Sequence, residues 1–368
     1  MTKIFYDHQI FSSQRYGGIS RYFEYLMCGI EESERVDYKL GVLKSNNYYI
    51  RNEKQLLSNS IFNPLFKTTA DLIKRNNSYC KYLLKKDNFS IFHPTYYSPY
   101  FLKYLKKPLV ITIHDMTYEA LPQFFLSDDP IPYYKRLLME RADKIIAISE
   151  TTKQDILKYS KISEGKIEVI YHGMDLNTPK YEDIPTLPKE YILFVGARWS
   201  YKNFHMVANA FKILSTKYND LQLVLAGGGP LSYGDSEFLM RNNILDKTVQ
   251  ISATDEQLNT IYKNALCFIY PSLYEGFGLP ILEAFKNNCP VLLSDCSCFQ
   301  EIAGDAANYF DHKSLESLVN EIEKMIINKS FASNFVLNGN SKLLEYPIEK
   351  CVSKTINFYR SISDYTMQ

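Results

Sequence analysis

The sequence predicts an α/β fold made of two doubly wound, Rossmann-like domains that face a cleft. Short apolar runs rich in β-branched residues alternate along the chain with segments whose apolar residues recur at helical spacing. This alternation stops at a proline-containing stretch, residues 174–191, and then starts again. At 368 residues, the chain is also long for a single hydrophobic core.

The first series begins near the N-terminus. Strands are predicted over residues 3–11, 108–115, 144–149 and 166–173. A helix is predicted over residues 19–30 from apolar side chains at helical spacing, namely Ile19, Tyr22, Phe23, Leu26, Met27 and Ile30. Ser149 is suited to cap a second helix that follows it.

The second series contains predicted strands at residues 191–197, 221–227, 266–272 and 290–295. Apolar strands that alternate with helices are typical of parallel sheets covered on both faces. Such sheets bind ligands beyond the carboxyl ends of their strands, so we expect the ligand there. The last amphipathic segment can cap the second domain or cross back to the first.

Composition excludes several classes of protein. A net charge of +1 gives no general attraction to nucleic acid, so no nucleic-acid partner is expected. Seven cysteines without a C-x-x-C pair disfavour a zinc site and indicate reduced thiols. No signal peptide or membrane-spanning apolar run is apparent. We therefore expect a cytoplasmic protein whose membrane contact, if any, is peripheral at the cytoplasmic face.

A glycine-rich turn, YEGFG, lies between a predicted strand and a predicted helix and ends at Gly278. Pro280 falls in the first turn of that helix, where a missing N–H does no harm. A strand, a turn and a helix start together present free backbone N–H groups and the positive end of a helix dipole. This combination predicts an anion site, most often for phosphate, which the glycines let the backbone approach closely.

Two carboxylates border this turn, Glu275 within it and Glu283 about one turn into the helix. Beside a phosphate, carboxylates are useful when they accept hydrogen bonds from neutral hydroxyls, which sugars supply. The pattern therefore suggests a nucleotide-sugar, with one acid for the hexose and one for the ribose. The alternative is a solvent-facing loop acid together with a glutamate on the helix surface.

Two basic side chains follow the first strand of the second series. Arg198 and Lys202 can both reach one diphosphate, Arg through a bidentate fork and Lys as a point charge. Gly17 and Gly18, between the first strand and the first helix, offer a second place where phosphate can meet backbone N–H groups. Taken singly, each feature also fits a solvated charge or a plain turn.

His114 lies at a predicted strand end, where it can orient or deprotonate a hydroxyl or hydrogen-bond a transferred sugar. A purely structural role fits equally well. No D-x-D sequence occurs, so we expect no metal and no cofactor. In the absence of a metal, Arg198, Lys202 and helix dipoles are then expected to stabilise the negative charge on the leaving group. The three glycines 227–229 do not form a G-x-G-x-x-G dinucleotide motif.

The stretch EGFGLPILEA, in which seven residues separate Glu275 from Glu283, resembles the retaining glycosyltransferases of family 4, which have the GT-B fold. The resemblance covers nearly the whole chain. Other family-like segments occur in family order: GGISRY, IAISETTKQDI, VIYHGMD, VGARWSYKN, LVLAGGGP, SDCSCFQEIAGDAANYFD and the final Y-x-x-E-K segment. The set is specific, although each segment alone is not.

The resemblance implies three regions. An acceptor-binding domain is expected over residues 1–180, and a nucleotide-sugar domain is expected over residues 190–345. A C-terminal helix, residues 346–368, is expected to cross back to the first domain.

The resemblance also implies roles for individual residues. The catalytic set is His114, Arg198, Lys202 and Glu275. The donor-binding set is Gly17, Gly18, Arg198, Lys202, Gly228, Ile251, Glu275, Gly276, Phe277, Gly278, Leu279 and Glu283. Within these sets, Glu275 contacts the hexose, Glu283 holds the ribose, and Arg198 and Lys202 neutralise the diphosphate. Gly228 and Ile251 lie near the nucleobase, and His114 lies near the anomeric carbon.

Residues 67–107 contain nine Lys or Arg against two Asp, interleaved with aromatic side chains. This composition predicts a peripheral contact with the inner membrane and thus access to a lipid-linked glycan. A solvated basic face and a soluble glycan acceptor remain as alternatives.

These features together predict a retaining hexosyltransferase. It takes a hexose from a nucleotide-sugar to a hydroxyl of a glycan or lipid-linked glycan, in the biosynthesis of a bacterial surface polysaccharide such as O-antigen, capsule or exopolysaccharide. GDP-mannose, a UDP-hexose and a dTDP-sugar all fit as donors. The alternatives are a sugar-nucleotide epimerase with the same fold and a non-catalytic glycan-binding protein.

Overall fold

The fold is described from a computed structural model, which covers residues 1–51, 53, 65–198 and 200–366. Trp199 of the segment VGARWSYKN lies outside these residues. Contacts divide the chain into two units. Unit 1 comprises Met1–Glu119, Phe125–Gly173 and Ile348–Gln368, and unit 2 comprises Ala120–Phe124 and Met174–Pro347.

Unit 1 is built on parallel strands. They are β1 (Thr2–Tyr6), β2 (Val36–Leu40), β3 (Ile91–His93), β4 (Val110–Ile113), β5 (Lys144–Ala147) and β6 (Ile167–Val169). Two three-stranded sheets, β2-β1-β3 and β4-β5-β6, adjoin where the Phe92 N–H donates to the Pro108 carbonyl at 2.9 Å. The predicted parallel α/β arrangement is confirmed for this unit.

Helices cover these sheets. They are α1 (Gln9–Ser13), α2 (Gly18–Glu31), α3 (Thr69–Lys86), α4 (Thr117–Ala120), α5 (Ile131–Arg141), α6 (Glu150–Tyr159) and α14 (Ile348–Thr366). The cap predicted at Ser149 is present, because its side chain accepts a hydrogen bond from the Thr152 N–H at 2.9 Å. Helix α14 packs against α2 and β1, and it adds Tyr359 and Ile362 to the unit 1 core.

The first strand is shorter than the sequence predicts. It ends at Tyr6, and residues 9–13 form a helix instead of continuing the strand. The cause is the buried carboxylate of Asp7, which accepts hydrogen bonds from the Thr95 N–H at 2.8 Å and from the Gln9 side chain at 2.8 Å. These bonds turn the chain away from the sheet, so the predicted strand over residues 3–11 is wrong beyond residue 6.

Unit 2 contains one six-stranded parallel sheet. Its strands are β7 (Tyr191–Val195), β8 (Gln222–Ala226), β9 (Thr248–Ile251), β10 (Cys267–Tyr270), β11 (Val291–Ser294) and β12 (Asn308–Phe310). The spatial order is β12-β11-β10-β7-β8-β9, so the first and fourth strands of the unit are neighbours at the centre. This is the doubly wound order of Rossmann domains, in agreement with the prediction.

Within the described residues, seven helices belong to this unit. They are α7 (Phe204–Lys217), α8 (Tyr233–Arg241), α9 (Asp255–Asn264), α10 (Leu279–Lys286), α11 (Ser297–Ala303), α12 (Leu315–Ile327) and α13 (Lys329–Leu343). The fully buried strands β7 and β10, together with β8, which is buried apart from Gln222, pack against apolar faces of α7 and α12, through residues such as Phe211 and Ile322. None of the helices in the described residues is long and apolar enough to cross a membrane.

Candidate active site

The direction of winding in unit 2 reverses between β7 and β10. In doubly wound sheets this point leaves a crevice beyond the carboxyl ends of the strands, where ligands bind. The loops that follow β7 and β10 carry Arg198, Lys202 and Glu275, three of the predicted catalytic residues. The two loops are tied together by a hydrogen bond from the Leu273 N–H to the Tyr201 carbonyl at 2.8 Å.

Lys202 and Glu275 form an ion pair across this crevice, with Nζ 2.5 Å from Oε1. Both side chains are mostly buried, and the Lys202 ammonium lies 5.7 Å from the centre of the Tyr270 ring. Burial raises the pKa of Tyr270 well above its usual value, and the adjacent Glu275 charge raises it further. The Tyr270 hydroxyl therefore stays protonated and can donate a hydrogen bond to Glu275, which orients the carboxylate.

Arg198 has a different environment from Lys202. Its guanidinium donates to the carbonyl oxygens of Gly227, Gly229 and Pro230 at 3.2, 3.0 and 2.7 Å. It also donates to Asp235 at 3.2 Å. Burial by itself raises the pKa of Asp235. Hydrogen bonds from Ser232, followed by the hydrogen bond and charge of Arg198, outweigh burial and hold this pKa below its usual value. Arg198 thus clamps the glycine-rich loop after β8 onto the loop after β7.

The glycine-rich loop needs its glycines because it lies close to another backbone. A Cβ on Gly228 would lie 2.5 Å from the Gly196 carbonyl oxygen, and its φ of 66° is in the left-handed region. The register pairs Ala226 with Ile251, so Gly228 and Ile251 lie beyond or at the carboxyl ends of neighbouring strands. The two residues predicted near the nucleobase therefore lie on neighbouring strand ends, on the carboxyl side of the sheet.

The turn before α10 has the geometry expected of an anion site. Gly278 is the N-cap at φ 98°, and a Cβ there would lie 3.2 Å from the Phe299 ring. The N–H groups of Gly278 and Leu279 fall where a helix start lacks intrahelical acceptors. Gly276 is buried in the same turn. The Phe277 side chain is buried against Tyr346, so only its main chain is suited to ligand contact.

Glu283 lies on α10 and is half-buried. Its Oε2 atom accepts a hydrogen bond from the hydroxyl of the fully buried Tyr262 at 3.2 Å. The two carboxylates of the sequence motif therefore have separate partners, Lys202 for Glu275 and Tyr262 for Glu283. This separation fits two different hydroxyl-bearing parts of one ligand.

Gly17, Gly18 and His114 belong to unit 1. His114 follows β4, and its ring stacks on His172 with centres 5.8 Å apart and an interplanar angle of 19°. Tyr22 of α2 lies edge-on to both rings. Burial lowers the pKa of His114 to about 3, so the imidazole is neutral near pH 7. Its Nδ1 atom is buried and has no hydrogen-bond partner in the described part of the chain.

Asp115, next to His114, is held by a buried cation. The Lys135 side chain is 1% exposed and donates to the Asp115 carbonyl at 3.0 Å and to Glu119 at 2.8 Å. Burial alone raises the pKa of Asp115, but the Lys135 charge and the Thr117 N–H outweigh burial and lower it. The end of β4 thus presents a neutral imidazole beside an ionised carboxylate.

Gly17 and Gly18 form the start of α2. The first helical hydrogen bond runs from the Arg21 N–H to the Gly17 carbonyl at 3.1 Å, which leaves the preceding N–H groups without intrahelical acceptors. A Cβ on Gly17 would lie 2.3 Å from Gln14 Oε1. Because Gln14 Oε1 is the end of a flexible side chain, this contact does not by itself require glycine in the turn that leads into the helix N-terminus.

One group in the described residues could hold a cation. Potential ligand atoms of Asp295, Asp311 and His312 lie within 4.8 Å of one another beyond the carboxyl ends of β11 and β12. Asp295 already accepts a 2.5 Å hydrogen bond from His312 Nδ1, so the group satisfies itself internally. It carries none of the predicted site residues.

Three residues of these environments do not appear in the predicted sets. Tyr270 is the last residue of β10, His172 follows β6 and Lys135 lies in the middle of α5. The first two carry a polar group just at or beyond the end of a parallel strand, and this position is a usable sequence signal. Lys135 has no such signal, because a lysine on a helix normally faces solvent.

Two family models match consecutive parts of the chain. The model described as Glycosyltransferase Family 4 matches residues 16–178, and the model described as Glycosyl transferases group 1 matches residues 180–342. The boundary between the models lies close to the boundary between the two units.

Two curated relatives are similar to this chain in sequence. The O-antigen chain mannosyltransferase RfbU of Salmonella typhimurium is 29% identical over 231 residues, which cover 61% of this chain and 64% of that protein, slightly under two thirds of its length. The O-antigen chain mannosyltransferase B of Escherichia coli is 25% identical over 287 residues, which cover 73% of this chain and 74% of that protein.

Among solved structures, the sucrose-phosphate synthase of Thermosynechococcus elongatus matches with a TM-score of 0.76 and 17% identity. The match covers 98% of this chain and 99% of that chain. At this level of identity, the similarity supports the fold alone.

Proposed function

Because the chain belongs to the family 4 glycosyltransferases with the GT-B fold, we propose that it transfers a hexose from a nucleotide-sugar to a glycan or lipid-linked glycan hydroxyl. We propose that the anomeric configuration is retained and that the product contributes to a bacterial surface polysaccharide. Mannose is the first candidate for the hexose, because two relatives are O-antigen chain mannosyltransferases.

The observation that supports this proposal most is the Lys202–Glu275 pair at the centre of the unit 2 sheet. A nucleotide-sugar carries two kinds of group. Its anionic diphosphate can pair with an ammonium, and its neutral hexose hydroxyls can donate hydrogen bonds to a carboxylate. When it enters, Lys202 exchanges its carboxylate partner for the diphosphate, and Glu275 exchanges its ammonium partner for sugar hydroxyls. Each charge keeps a partner, so binding leaves no buried charge unpaired.

The proposed step breaks the bond between the anomeric carbon and the diphosphate oxygen. The electron pair leaves with the nucleoside diphosphate, whose charge Lys202 and the N–H groups of Gly278 and Leu279 stabilise. The acceptor hydroxyl attacks the same face of the sugar, and its proton passes to the departing phosphate oxygen. The products are the glycoside and the protonated nucleoside diphosphate.

We propose that the transfer needs neither a metal ion nor a cofactor. Lys202 and the start of α10 provide positive charge where a divalent ion would otherwise be needed. Transfer that survives exhaustive treatment with EDTA is the expected result. Loss of activity that Mg²⁺ or Mn²⁺ restores would contradict this part of the proposal.

A transfer assay tests the central claim. The purified chain is incubated with GDP-mannose, UDP-hexoses or dTDP-sugars and with oligosaccharide or lipid-linked acceptors, and the new linkage is identified by NMR. An α-linked product from an α-linked donor supports retention, and a β-linked product contradicts it. Conversion of the donor sugar without an acceptor indicates the epimerase, and saccharide binding with no turnover of any donor indicates the non-catalytic alternative.

A thermal-shift screen with UDP, GDP, dTDP and ADP identifies the nucleotide. A ligand at about 100 times its Kd stabilises the folded chain by about 2.7 kcal/mol, so the cognate nucleotide raises the melting temperature most. Stabilisation by GDP supports GDP-mannose as donor. Equal, negligible shifts with all four nucleotides contradict a nucleotide-sugar site.

The basic region at residues 67–107 divides into two parts in unit 1. Leu83, Leu84, Tyr97 and Phe101 are buried in the core. The outer face of α3 is one part of the remaining surface, and exposed apolar and basic side chains lie next to one another on it. Its members are Ile73, Lys74, Tyr82, Lys85 and Lys86. We propose that this face rests on an anionic membrane at the cytoplasmic side, where lipid-linked acceptors are available.

Vesicle flotation tests the membrane contact. Binding to vesicles with anionic lipid is expected at low salt and should weaken as salt rises. Replacing Lys74, Lys85 and Lys86 by Glu should abolish it. The matched control replaces three exposed lysines of unit 2, Lys212, Lys313 and Lys329, by Glu. Equal loss in both triple variants would indicate a net-charge effect and exclude a specific face.

A further inference from the structure

Two exposed tyrosines lie side by side at the carboxyl edge of the first sheet in unit 1. Tyr16 is 55% exposed and Tyr48 is 38% exposed, and their ring centres are 5.3 Å apart. The Arg15 guanidinium lies over the Tyr16 ring, 5.5 Å from its centre, and the Arg51 guanidinium lies over the Tyr48 ring, 4.2 Å from its centre, so each arginine covers one face of its tyrosine. The two tyrosine ring planes are inclined at 33°. We call Tyr16 and Tyr48, with these two arginines, the tyrosine platform.

The platform is held rigidly although its rings are exposed. The Tyr48 N–H donates to the Arg15 carbonyl at 2.9 Å. Asn47 is 2% exposed, and its side-chain amide donates to the Gln14 carbonyl at 2.9 Å. The Ser45 hydroxyl donates to the Phe11 carbonyl at 2.5 Å. Three hydrogen bonds therefore join the loop after β2 to the segment after β1, so little conformational entropy is lost when a ligand settles on the rings.

The position of the platform also indicates a ligand. Strands β1 and β2 are parallel neighbours, with Tyr6 paired to Leu40, and Tyr16 and Tyr48 lie in the connections that leave their carboxyl ends. Ligands of open α/β sheets bind at this edge. Tyr16 directly precedes Gly17 and Gly18, the helix start predicted to meet the donor diphosphate.

The chemistry of the platform suits a sugar ring. An aromatic face is electron-rich, and the C–H groups on one face of a pyranose pack against it. The rim of the sugar carries hydroxyl groups. A guanidinium holds several N–H donors in a fixed planar arrangement, and the hydroxyl oxygens can accept hydrogen bonds from them. We propose that the tyrosine platform binds a saccharide ring of the acceptor. This inference rests on the proposed function, because it assigns the acceptor subsite of that enzyme.

Saturation-transfer NMR and titration test the platform directly. The probes are mannose-, glucose-, galactose- and N-acetylhexosamine-containing oligosaccharides of one to three rings. At least one probe should bind the full chain, and Tyr16→Ala and Tyr48→Ala should each weaken the binding of that probe by about tenfold, because each removes one aromatic contact. Tyr16→Trp and Tyr48→Trp should keep binding, because they keep an aromatic face.

Tyr133→Ala is the matched control. Tyr133 is also 55% exposed in unit 1, and Arg136 lies 5.8 Å from its ring centre, but it lies on α5. The Tyr133→Ala variant should bind every probe as strongly as the unaltered chain does. All variants should have the same melting temperature. Absence of binding by any probe, or equal binding by Tyr16→Ala and Tyr48→Ala, would overturn the proposal.

Two readouts separate this inference from the proposed function. If the platform stacks a nucleobase instead, the alanine variants lose the thermal shift with the cognate nucleotide, and the acceptor assignment is wrong. If the chain binds saccharides through Tyr16 and Tyr48 but transfers no sugar from any donor, the proposed function fails while the platform stands. In an active enzyme, the alanine variants should raise the KM for the acceptor more than the KM for the donor.

Discussion

Arg198 and Lys202 are separated by three residues, and their spacing predicts one shared ligand, yet the folded chain gives them different partners. Arg198 donates to three main-chain carbonyls and Asp235, whereas Lys202 pairs with Glu275. Most of the Arg198 donors are already engaged within the protein. Lys202 is held by a single carboxylate that a ligand can replace.

Substitutions at the two positions should therefore behave differently. Lys202→Ala should lower kcat about 10²-fold or more, because it removes a charge-stabilising donor. It should change the melting temperature less than Arg198→Lys. Arg198→Lys should cost about 1–3 kcal/mol of folding free energy, since a single ammonium cannot reach all four acceptors and leaves buried carbonyls without donors.

Lys212→Ala, at an exposed position of α7 in unit 2, is the control for both measurements. It should match the unaltered chain in turnover and melting temperature. Near-normal turnover in Lys202→Ala would contradict its role at the diphosphate. A stable Arg198→Lys variant would contradict the clamp.

Lys135 offers a test of buried charge. Lys135→Met removes the partner of Glu119 and should cost about 3–5 kcal/mol of unfolding free energy, because the carboxylate is left without its cation. The double variant Lys135→Met with Glu119→Leu should recover much of this loss. The measurement is chemical denaturation monitored by circular dichroism.

Lys153→Met is the matched control, because Lys153 pairs with an exposed carboxylate, Glu164, at 2.7 Å. Exposed ion pairs contribute little to stability, so this variant should unfold almost like the unaltered chain. Equal effects of Lys135→Met and Lys153→Met would mean that the buried pair does not stabilise the end of β4.

At the scale of elements, α14 shows how a segment distant in sequence completes unit 1. The Tyr359 hydroxyl lies 2.6 Å from His93 Nδ1 and 3.0 Å from the Tyr6 hydroxyl. Tyr359 is fully buried, and its neighbours on α14, Cys351 and Ile362, belong to the same core. The helix is therefore joined to β1 and β3 by both apolar packing and a buried polar network.

Tyr359→Phe tests this network. It keeps the ring and removes the hydroxyl that His93 and Tyr6 share, so it should cost about 1–3 kcal/mol of unfolding free energy. Tyr233→Phe, at a position 84% exposed, is the control and should have no measurable effect. Chemical denaturation of both variants decides the matter, and an unchanged Tyr359→Phe would show that α14 is held by apolar packing alone.

At the scale of the whole molecule, stability should depend on pH through buried histidines. Burial lowers the pKa of His93 and of His114 to about 3, and it lowers that of His172 well below the usual value. In the unfolded chain, the imidazole of each of these histidines takes up a proton as the pH falls below about 6.5, whereas in the folded chain it stays neutral at that pH. The contribution to stability is therefore complete above about pH 6.5 and is lost as pH falls toward 3.

Unfolding free energies measured between pH 7 and pH 4 check this prediction. Each such histidine should add up to about 1.4 kcal/mol per pH unit to the slope within that window. His93→Gln should reduce the slope of unfolding free energy against pH by the contribution of one histidine. A free energy independent of pH between 7 and 5, or a slope unchanged in His93→Gln, would contradict the prediction.

Much of the fold follows from local pattern. The apolar strands β4, β5, β7, β8, β10 and β11 are continuous runs, and the sequence predicts all of them. The sequence does not predict strands β2, β3, β9 and β12, because they are short or because apolar and polar residues alternate within them, as in VDYKL. Their pairing with a neighbour, which the sequence does not display, is what makes them strands.

The candidate site is predicted unevenly for the same reason. Glu275, Lys202 and Gly278 can be found from sequence, because glycine spacing and polar residues after strands are local features. Gly228 enters the predicted site only through the family resemblance. That Glu275 pairs with Lys202, or that Arg198 holds a loop 30 residues away, depends on which strands become neighbours.

The sequence by itself determined that helices and strands alternate in two series, where they are capped and where glycine is required, because these depend on neighbouring residues. Only the tertiary structure decided the partner of each charge, the burial of Lys135 and the stacking of His114 on His172. These depend on contacts between residues far apart in the chain, and the free energy of a buried charge is set by the groups that surround it in space.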